Sequence, residues 1–424
     1  MLLFLLLISS GCDVTIPYFG KRSLPFFKKI VPPPTPTPVP ALPPTGNPAT
    51  FAVSSPTVSI SVSPKTPSNR PTLEVSTEMS ISKPKTLPTV TFTPTSTATP
   101  MEVEKIAYTS IEKGKSTLWT MNTDGTGRTR LTAVGTNSWY PLWSPNGKVL
   151  AFLSDMTEGK INLYTIKKGT TEAIQVTSFS DMTLENAKGL KAPFCWSPRS
   201  DEISFTYHSQ VWKVDLSTLI LQTLADLDPH YLVSGIEWAP HRDNKYIAFL
   251  VKKGINFFSL NLVNPRLLDQ LKLVDSSTPL ADISWSPDAR KIAYISNKES
   301  IYTASAETSL PKQIIWGASP ELGPLLCYSP IESTTPQLML LAKKKLTDSG
   351  YCVALVDKLS SGDQDSGTLK YLTEPGVENA IWAPDGSKIA YILDGELWIM
   401  ESSTGKNKVR IAATGIQSPN WSKK

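Results

Sequence analysis

Histidine and cysteine are scarce in this chain: three His and four Cys among 424 residues. So few imidazoles leave little material for acid–base or zinc chemistry. No CxxC or Cys/His cluster marks a metal site or a disulfide framework. GxGxxG, P-loop and HExxH signatures are missing, and so is the GxSxG nucleophile elbow. The nearest approach, "GASPE" (Gly317 to Glu321), lacks the last Gly. No cofactor and no metal are expected. There is no long basic block, and 42 Lys+Arg against 37 Asp+Glu give a net charge of only +5. Nucleic acid is therefore not an expected partner.

What is present comes in segments. Met1 to Ile8 is an apolar run, too short to cross ~30 Å of hydrocarbon as a helix but suited to the core of an export signal. No Lys or Arg precedes it. Ser9-Ser10-Gly11-Cys12 resembles a bacterial lipobox. That resemblance implies a signal peptide over 1–11 and lipidation at Cys12. It also implies a tether on the outer side of the cytoplasmic membrane, in the cell envelope. The alternative is a plain secretory signal with an incidental Cys12 and a secreted protein. Residues 12–30 form a membrane-proximal segment in which Lys21, Arg22, Lys28 and Lys29 mix with aromatics. They would lie against anionic headgroups or serve as a solvated spacer. Residues 31–100 hold 17 of the 36 prolines, with Ser, Thr and Val making up most of the rest. Such a stretch buries too little apolar surface to offset its ordering entropy. It reads as a disordered, semi-rigid stalk reaching at most ~200 Å.

The remainder, 101–424, repeats itself. "ISWSPDARKIAYIS" (Ile283 to Ser296) and "AIWAPDGSKIAYIL" (Ala380 to Leu393) are nearly one phrase. Further copies start at Trp143, Trp196 and Trp238, a degenerate one at Tyr328, and a truncated one at Trp421. Seven copies at about 40–55 residues point to propeller blades. Each unit reads as a Trp-ending strand, a Ser/Ala-Pro-Asp/Asn-Gly turn, a β-rich run such as "KIAYIS", then two further strands. Ile106 to Thr132 supplies a second, third and fourth strand with no first; the C-terminal "SPNWS" supplies a first with nothing after it. Joined, they close the ring and remove an exposed edge. The fold expected is all-β: a seven-bladed β-propeller of four-stranded antiparallel blades, or a six-bladed one if the Tyr328 unit is not a separate blade.

"WSPDG…IAY…LWTMNTDGTGRTRLT" resembles the TolB-like β-propeller repeats over about residues 103–424. The Gly-His…Trp-Asp signature of WD-repeat propellers is missing. The resemblance implies a scaffold that docks proteins or peptides near the channel mouth. The expectation that follows is a non-catalytic envelope lipoprotein binding a protein or peptide partner, with the membrane as second partner through the lipid anchor. Two alternatives stand beside it: a glycan-active or glycan-binding propeller with channel carboxylates, and a structural surface-layer component. No hydrolase domain is expected after Trp421, and no carboxylate pair is singled out for glycoside chemistry.

The repeat tryptophans are expected in the core, and Cys195 and Cys327 as small buried fillers. Cys352 cannot bridge to Cys327 across an intervening strand. "NTDGTG" (Asn122 to Gly127) is expected to be a tight turn rather than a calcium loop. Candidate binding residues lie in connections expected at the channel mouth. They are Trp139 and Tyr140; Asp181, Glu185, Lys188 and Lys191 in the long segment from Ser178 to Pro193; Asp228, His230 and Tyr231; and Glu378, Asn379 and Asn420 ahead of the last inner strands.

Overall fold

Short alternating β-rich runs cut by left-handed turns leave a chain no option but small antiparallel sheets. The computed structural model describes residues 103–184, 191–241, 246–306, 311–315, 321–333, 337–357, 368–412 and 415–424. The expected signal peptide (1–11), Cys12, the membrane-proximal segment (12–30) and the expected stalk (31–100) lie outside the described residues. Within these, 28 strands run from β1 (Lys105–Glu112) to β28 (Ile416–Trp421) and form seven four-stranded antiparallel sheets. The fold is a seven-bladed β-propeller. The degenerate Tyr328 unit is a full blade, from β20 (Leu322–Tyr328) to β23 (Thr368–Tyr371). That excludes six blades.

The innermost strands are β4 (Ser138–Trp143), β8 (Phe194–Trp196), β12 (Tyr231–Trp238), β16 (Leu280–Trp285), β20, β24 (Val377–Trp382) and β28. Blades are numbered 1 to 7 in that order. In blades 1, 2, 4 and 6 a tight turn leads from the innermost strand to the second strand. In blade 1, Gly147 N donates to Ser144 O and Val149 N to Ser144 Oγ (2.8 and 3.0 Å). Gly147 has φ 69°, the left-handed region that glycine enters without steric cost. These turns share one end of the barrel with the third-to-fourth-strand hairpins; this end is the turn face. The second-to-third hairpins and the blade-to-blade connections occupy the other end, the connection face.

No blade buries both faces of its sheet alone. Seven apolar clusters solve this, each drawn from two adjacent blades. Between blades 7 and 1, for example, Ala107 and Leu118 meet Trp143, Phe152 and Tyr164. The repeat tryptophans stitch the same interfaces. The indole N–H of Trp196 donates to Leu142 O, that of Trp285 to Glu237 O and that of Trp382 to Cys327 O (2.9, 3.1 and 3.4 Å). Of the repeat tryptophans expected in the core, Trp143, Trp196, Trp238 and Trp285 are buried, as is Trp421 at the same position. Trp382 is half-buried against its cluster.

Ring closure follows the order β28-β1-β2-β3, with β2 (Lys115–Asn122) and β3 (Thr129–Arg130) completing the blade. Ile106 pairs with Trp421, and Lys105 N donates to Ser422 Oγ at 2.8 Å. The C-terminal strand is thus the innermost strand of the N-terminal blade, as the two incomplete units require. Cys327 on β20 and Cys352 on β22 (Cys352–Asp357) are separated by β21 (Leu338–Ala342), and Cys195, Cys327 and Cys352 are free. Cys195 and Cys352 are buried; Cys327 is only partly so.

Candidate functional site

Every innermost strand faces a geometric problem. It must twist enough to turn its blade around the axis while keeping its ladder to the second strand. A β-bulge does this, and register shifts occur in innermost strands of six blades, at Ala281/Ile283 in blade 4 and Ser234/Ile236 in blade 3 among them. The bulge residue of blade 3 is Gly235, φ 59°; in blade 4 it is Asp282, φ 39°. Asp tolerates this region because its short side chain hydrogen-bonds locally. Here Asp282 Oδ1 accepts from Ile283 N (2.9 Å), and Oδ2 accepts from Leu326 N of blade 5 (2.6 Å).

Lys191 enters this point from the connection leading into blade 2. Its Nζ lies 3.0 Å from Asp282 Oδ1 and 3.8 Å from Glu237 Oε2, and it donates to Ile283 O. Blades 2 and 4 are not neighbours, so a residue entering blade 2 reaches β16 only through the axial space. One ammonium and two carboxylates thus join blades 2, 3, 4 and 5 around the axis at the connection face. Asp282 is 8% exposed; Lys191 and Glu237 each keep 29% of their side chains open. Glu237 Oε2 is buried and accepts no hydrogen bond among the described residues.

The electrostatics follow from burial and from the one cation. Burial pushes the Glu237 carboxyl up to about 7, against the pull of Lys191. Burial also raises Asp282, with Lys191 and two backbone N–H groups holding it back. Burial alone would lower Lys191, but Asp282 and then Glu237 outweigh it and hold the ammonium up at about 12. The partly buried Cys327 thiol, facing the same groups, is pushed up by burial to about 12. Such a thiol is a poor nucleophile near neutral pH. With Glu237 ionised the cluster carries one net negative charge at the axis. It can take a cation or a hydrogen-bond donor, and Glu237 can exchange a proton near neutrality.

A second feature sits on the same face at the border of blades 1 and 2. Phe179 stacks on Tyr207, with ring centroids 4.0 Å apart, and Tyr207 meets His208 edge-on at 4.2 Å. Tyr207 donates to Asp181, and the His208 ring lies 3.2 Å from the other Asp181 oxygen. The Tyr207 hydrogen bond holds the Asp181 carboxyl below its ordinary range. Pro193, Thr206 and Met182 line the hollow beside them. It is open to solvent, which screens its charges.

Of the residues expected from sequence, Lys191 is in the axial cluster and Asp181 in the rim hollow. Glu185 and Lys188 lie outside the described residues. Trp139 and Tyr140 are not in a connection but inside β4, half-buried against the core between blades 1 and 2. The reason is the bulge: Tyr140, φ 54°, holds the position Asp282 holds in blade 4. Asp228 accepts from the His230 ring and backbone (2.8 and 2.9 Å) in an exposed turn, and Tyr231 begins β12 under Lys253. This group does not join the axial cluster. Glu378 and Asn379 lie within β24 and Asn420 within β28, rather than ahead of them. Glu378 accepts from Gly395 N (3.1 Å), and buried Asn379 accepts from Ala380 N (2.8 Å). Asn420 Oδ1 accepts from Trp143 N at 2.7 Å, so it is committed to the joint between blades 7 and 1.

Glu237 and Asp282 were not singled out in the sequence, though a signal is there. Aligned on the repeat Trp or Tyr, the preceding residue is Leu142, Cys195, Glu237, Ser284, Cys327, Ile381 or Asn420. Only Glu237 is charged. Three before the aromatic, the residues are Tyr140, Pro193, Gly235, Asp282, Leu325, Asn379 and Ser418, and only Asp282 is charged.

No family model matches the chain. Two curated relatives do. Dipeptidyl-peptidase 5 of Porphyromonas gingivalis is 24% identical over 332 residues, covering 72% of this chain and 45% of its own length. Dipeptidyl-peptidase 5 of Porphyromonas endodontalis is 26% identical over 215 residues, covering 49% of this chain and 29% of its own. The chain thus spans less than half the length of either. Among solved structures, an oligogalacturonate lyase in complex with manganese superimposes with a TM-score of 0.53 at 13% identity, over 72% of this chain and 84% of that one. TolB from Acinetobacter baumannii gives a TM-score of 0.47 at 18% identity, over 76% of this chain and 67% of that one. At these identities the structural likeness is one of fold. The sequence relatives correct the earlier expectation. A non-catalytic binder does not agree with relatives that are named peptidases, and the expectation that the chain has no part in enzyme chemistry falls with it.

Proposed function

We propose that the chain serves peptide cleavage of the dipeptidyl-peptidase type, with the propeller reading the free amino terminus of the peptide at the axial cluster. The match to the two dipeptidyl-peptidases carries this reading. Removal of a dipeptide requires that the substrate be measured from its terminal ammonium, because that charge is the feature every such substrate shares. Lys191 neutralises Asp282 and leaves Glu237, with one buried oxygen lacking a hydrogen bond, as the excess negative charge. A terminal ammonium placed there would complete the pairing that Lys191 leaves incomplete. The stacked Phe179 and Tyr207 offer apolar surface for side chains further along the peptide.

Isothermal titration of the full chain with a tripeptide and its N-acetylated counterpart tests the reading. The free peptide is expected to bind at least about tenfold more tightly, the equivalent of one charge-assisted hydrogen bond. Equal affinity for the two, or no binding of either, sinks it. For placement, the lipobox-like Cys12 supports an envelope protein tethered outside the cytoplasmic membrane. Loss of membrane association in Cys12→Ser is its test.

A further inference from the structure

Five third-to-fourth-strand hairpins of the turn face lie among the described residues. Those of blades 1, 6 and 7 (168–172, 402–408 and 123–128) are polar and turn through glycine: Gly169, Gly405 and Gly125 all have positive φ. Blades 2 and 3 differ. Leu219 N donates to Asp215 O (2.8 Å) and Leu268 N to Asn264 O (2.8 Å), the bond that Gly405 N makes to Glu401 O (2.9 Å). Leu219 and Leu268 thus occupy the glycine position of the same turn, at φ 57° and 62°. A leucine is disfavoured there by its Cβ. Neither side chain repays this by burial: both are exposed. Their neighbours Ile220 and Leu267 are 66% and 69% exposed. Two adjacent blades therefore display apolar tips on one face, in turns whose backbone asks for glycine.

The same face holds the start of the described chain. Lys105, the first residue of β1, is bonded through N and O to Ser422 just after Trp421, where the innermost strand ends (2.8 Å each). The described part of the chain, which starts at Val103, thus begins at the turn face; the apolar run Met1 to Ile8 and Cys12 precede it in sequence. The axial cluster lies on the opposite face.

We propose that the turn face docks on a lipid bilayer, with the hairpin tips of Leu219–Ile220 and Leu267–Leu268 entering the headgroup–acyl boundary. The inference rests on the envelope placement above and adds an orientation to it: the axial cluster faces away from the membrane. Arg199 and Arg266 are exposed on turns of this face, and Lys168 Nζ donates to Lys423 O (3.2 Å) there. With Glu172, Asp201, Asp215 and Asp269 in the same turns the face is mixed in charge, so the apolar tips rather than net charge carry the contact. A tether that already confines the propeller near the surface raises the effective concentration, so a weak apolar contact suffices. A bilayer takes both tips without requiring them to form one contiguous patch, which a protein partner would need.

The test uses the full chain carrying Cys12→Ser, so that no lipid anchor contributes, and sucrose-loaded vesicles of phosphatidylethanolamine and phosphatidylglycerol. Its partner carries in addition Leu219→Gly, Ile220→Ser, Leu267→Ser and Leu268→Gly. Glycine suits the positive φ, so the variant keeps its turns, and an unchanged melting temperature verifies this. Residues 12–30 are common to both proteins, so the difference reports the hairpins. At about 1 mM lipid, which reads contacts too weak to hold the untethered protein through cell fractionation, the expected result is partial co-sedimentation of the parent and a fall of about tenfold or more in its partition coefficient in the variant. Equal partitioning of the two, or none by the parent, overturns the proposal. So does self-association of the parent without lipid that the substitutions abolish, since the tips would then belong to an interface between copies. Release of the native protein by Cys12→Ser in cells is read separately, so failure of the anchor and failure of the docking face are told apart.

Discussion

Replacing Lys191 by Met keeps the length and apolar stem of the side chain and removes only the charge. In the native protein Nζ sits 3.0 Å from Asp282, whose side chain is 8% exposed, and donates to Ile283 O. Without it, a buried carboxylate at a bulge and a second one on the neighbouring blade face each other with no cation between them. Removing one partner of a buried pair costs 3–5 kcal/mol in comparable cases; with 29% of Lys191 open to solvent, a value at the low end, about 3 kcal/mol, is expected near neutral to alkaline pH. The sign of the pH dependence follows from the carboxyls. Both are already raised by burial, and loss of the ammonium raises them further. The native variant then binds more protons than the unfolded chain, so its stability falls as pH rises through that window. At about pH 5 protonation removes most of the cost, leaving about 1 kcal/mol for the lost hydrogen bonds. Urea unfolding followed by tryptophan fluorescence at about pH 5 and pH 8 measures both numbers. A variant as stable as the parent at the higher pH, or equally destabilised at both, refutes the reasoning.

Other outcomes follow from the same geometry. Glu237→Gln removes the carboxyl that burial holds up at about 7; ionised Glu237 is the disfavoured form. The parent therefore loses stability between its unfolded value near 4.5 and about 7, and the variant does not, which parallel thermal melts across that range will show. Lys191 acts with the same sign in a higher window: its contribution is complete below 10.5 and lost as pH rises through about 12. Asn420→Leu leaves Trp143 N without its acceptor at the blade 7–blade 1 joint. A loss of about 1–3 kcal/mol in urea unfolding is expected, with Asn420→Asp recovering most of it. Full-length protein carrying Cys12→Ser should leave the membrane fraction for the soluble one on cell fractionation.

The fold was legible because it is written in local chemistry repeated seven times. The Trp-Ser/Ala-Pro steps at Trp143, Trp196, Trp238, Trp285 and Trp382 mark where innermost strands end, and the unpaired fragments at Ile106 and Trp421 announce their own pairing. The degenerate Tyr328 unit was the hard case. Its blade survives because Leu338, Met339, Leu340 and Leu341 bury fully between blades 4 and 6, which needs apolar volume rather than the turn motif. The site was less legible. Trp139, Tyr140, Glu378, Asn379 and Asn420 were placed in connections, but the innermost strands begin earlier than their Trp-ending cores suggest. A bulge lets a strand continue through residues that break its alternation. Lys191 stood out as a loop charge, but its partners, Glu237 and Asp282, are 46 and 91 positions further on. Only ring closure brings two non-adjacent blades together, and no local pattern encodes a contact across an axis. The charges at otherwise uncharged repeat positions were the trace left in the sequence.

The central claim is that the axial carboxylates read a peptide's amino terminus. The most direct measurement is the affinity of the full chain for a free-amino tripeptide across about pH 5.5 to 7.5, for the parent and Glu237→Gln side by side. The account predicts affinity rising by about tenfold as Glu237 ionises through about 7 in the parent, and a flat, weaker profile in the variant. Matching profiles in the two proteins would contradict it.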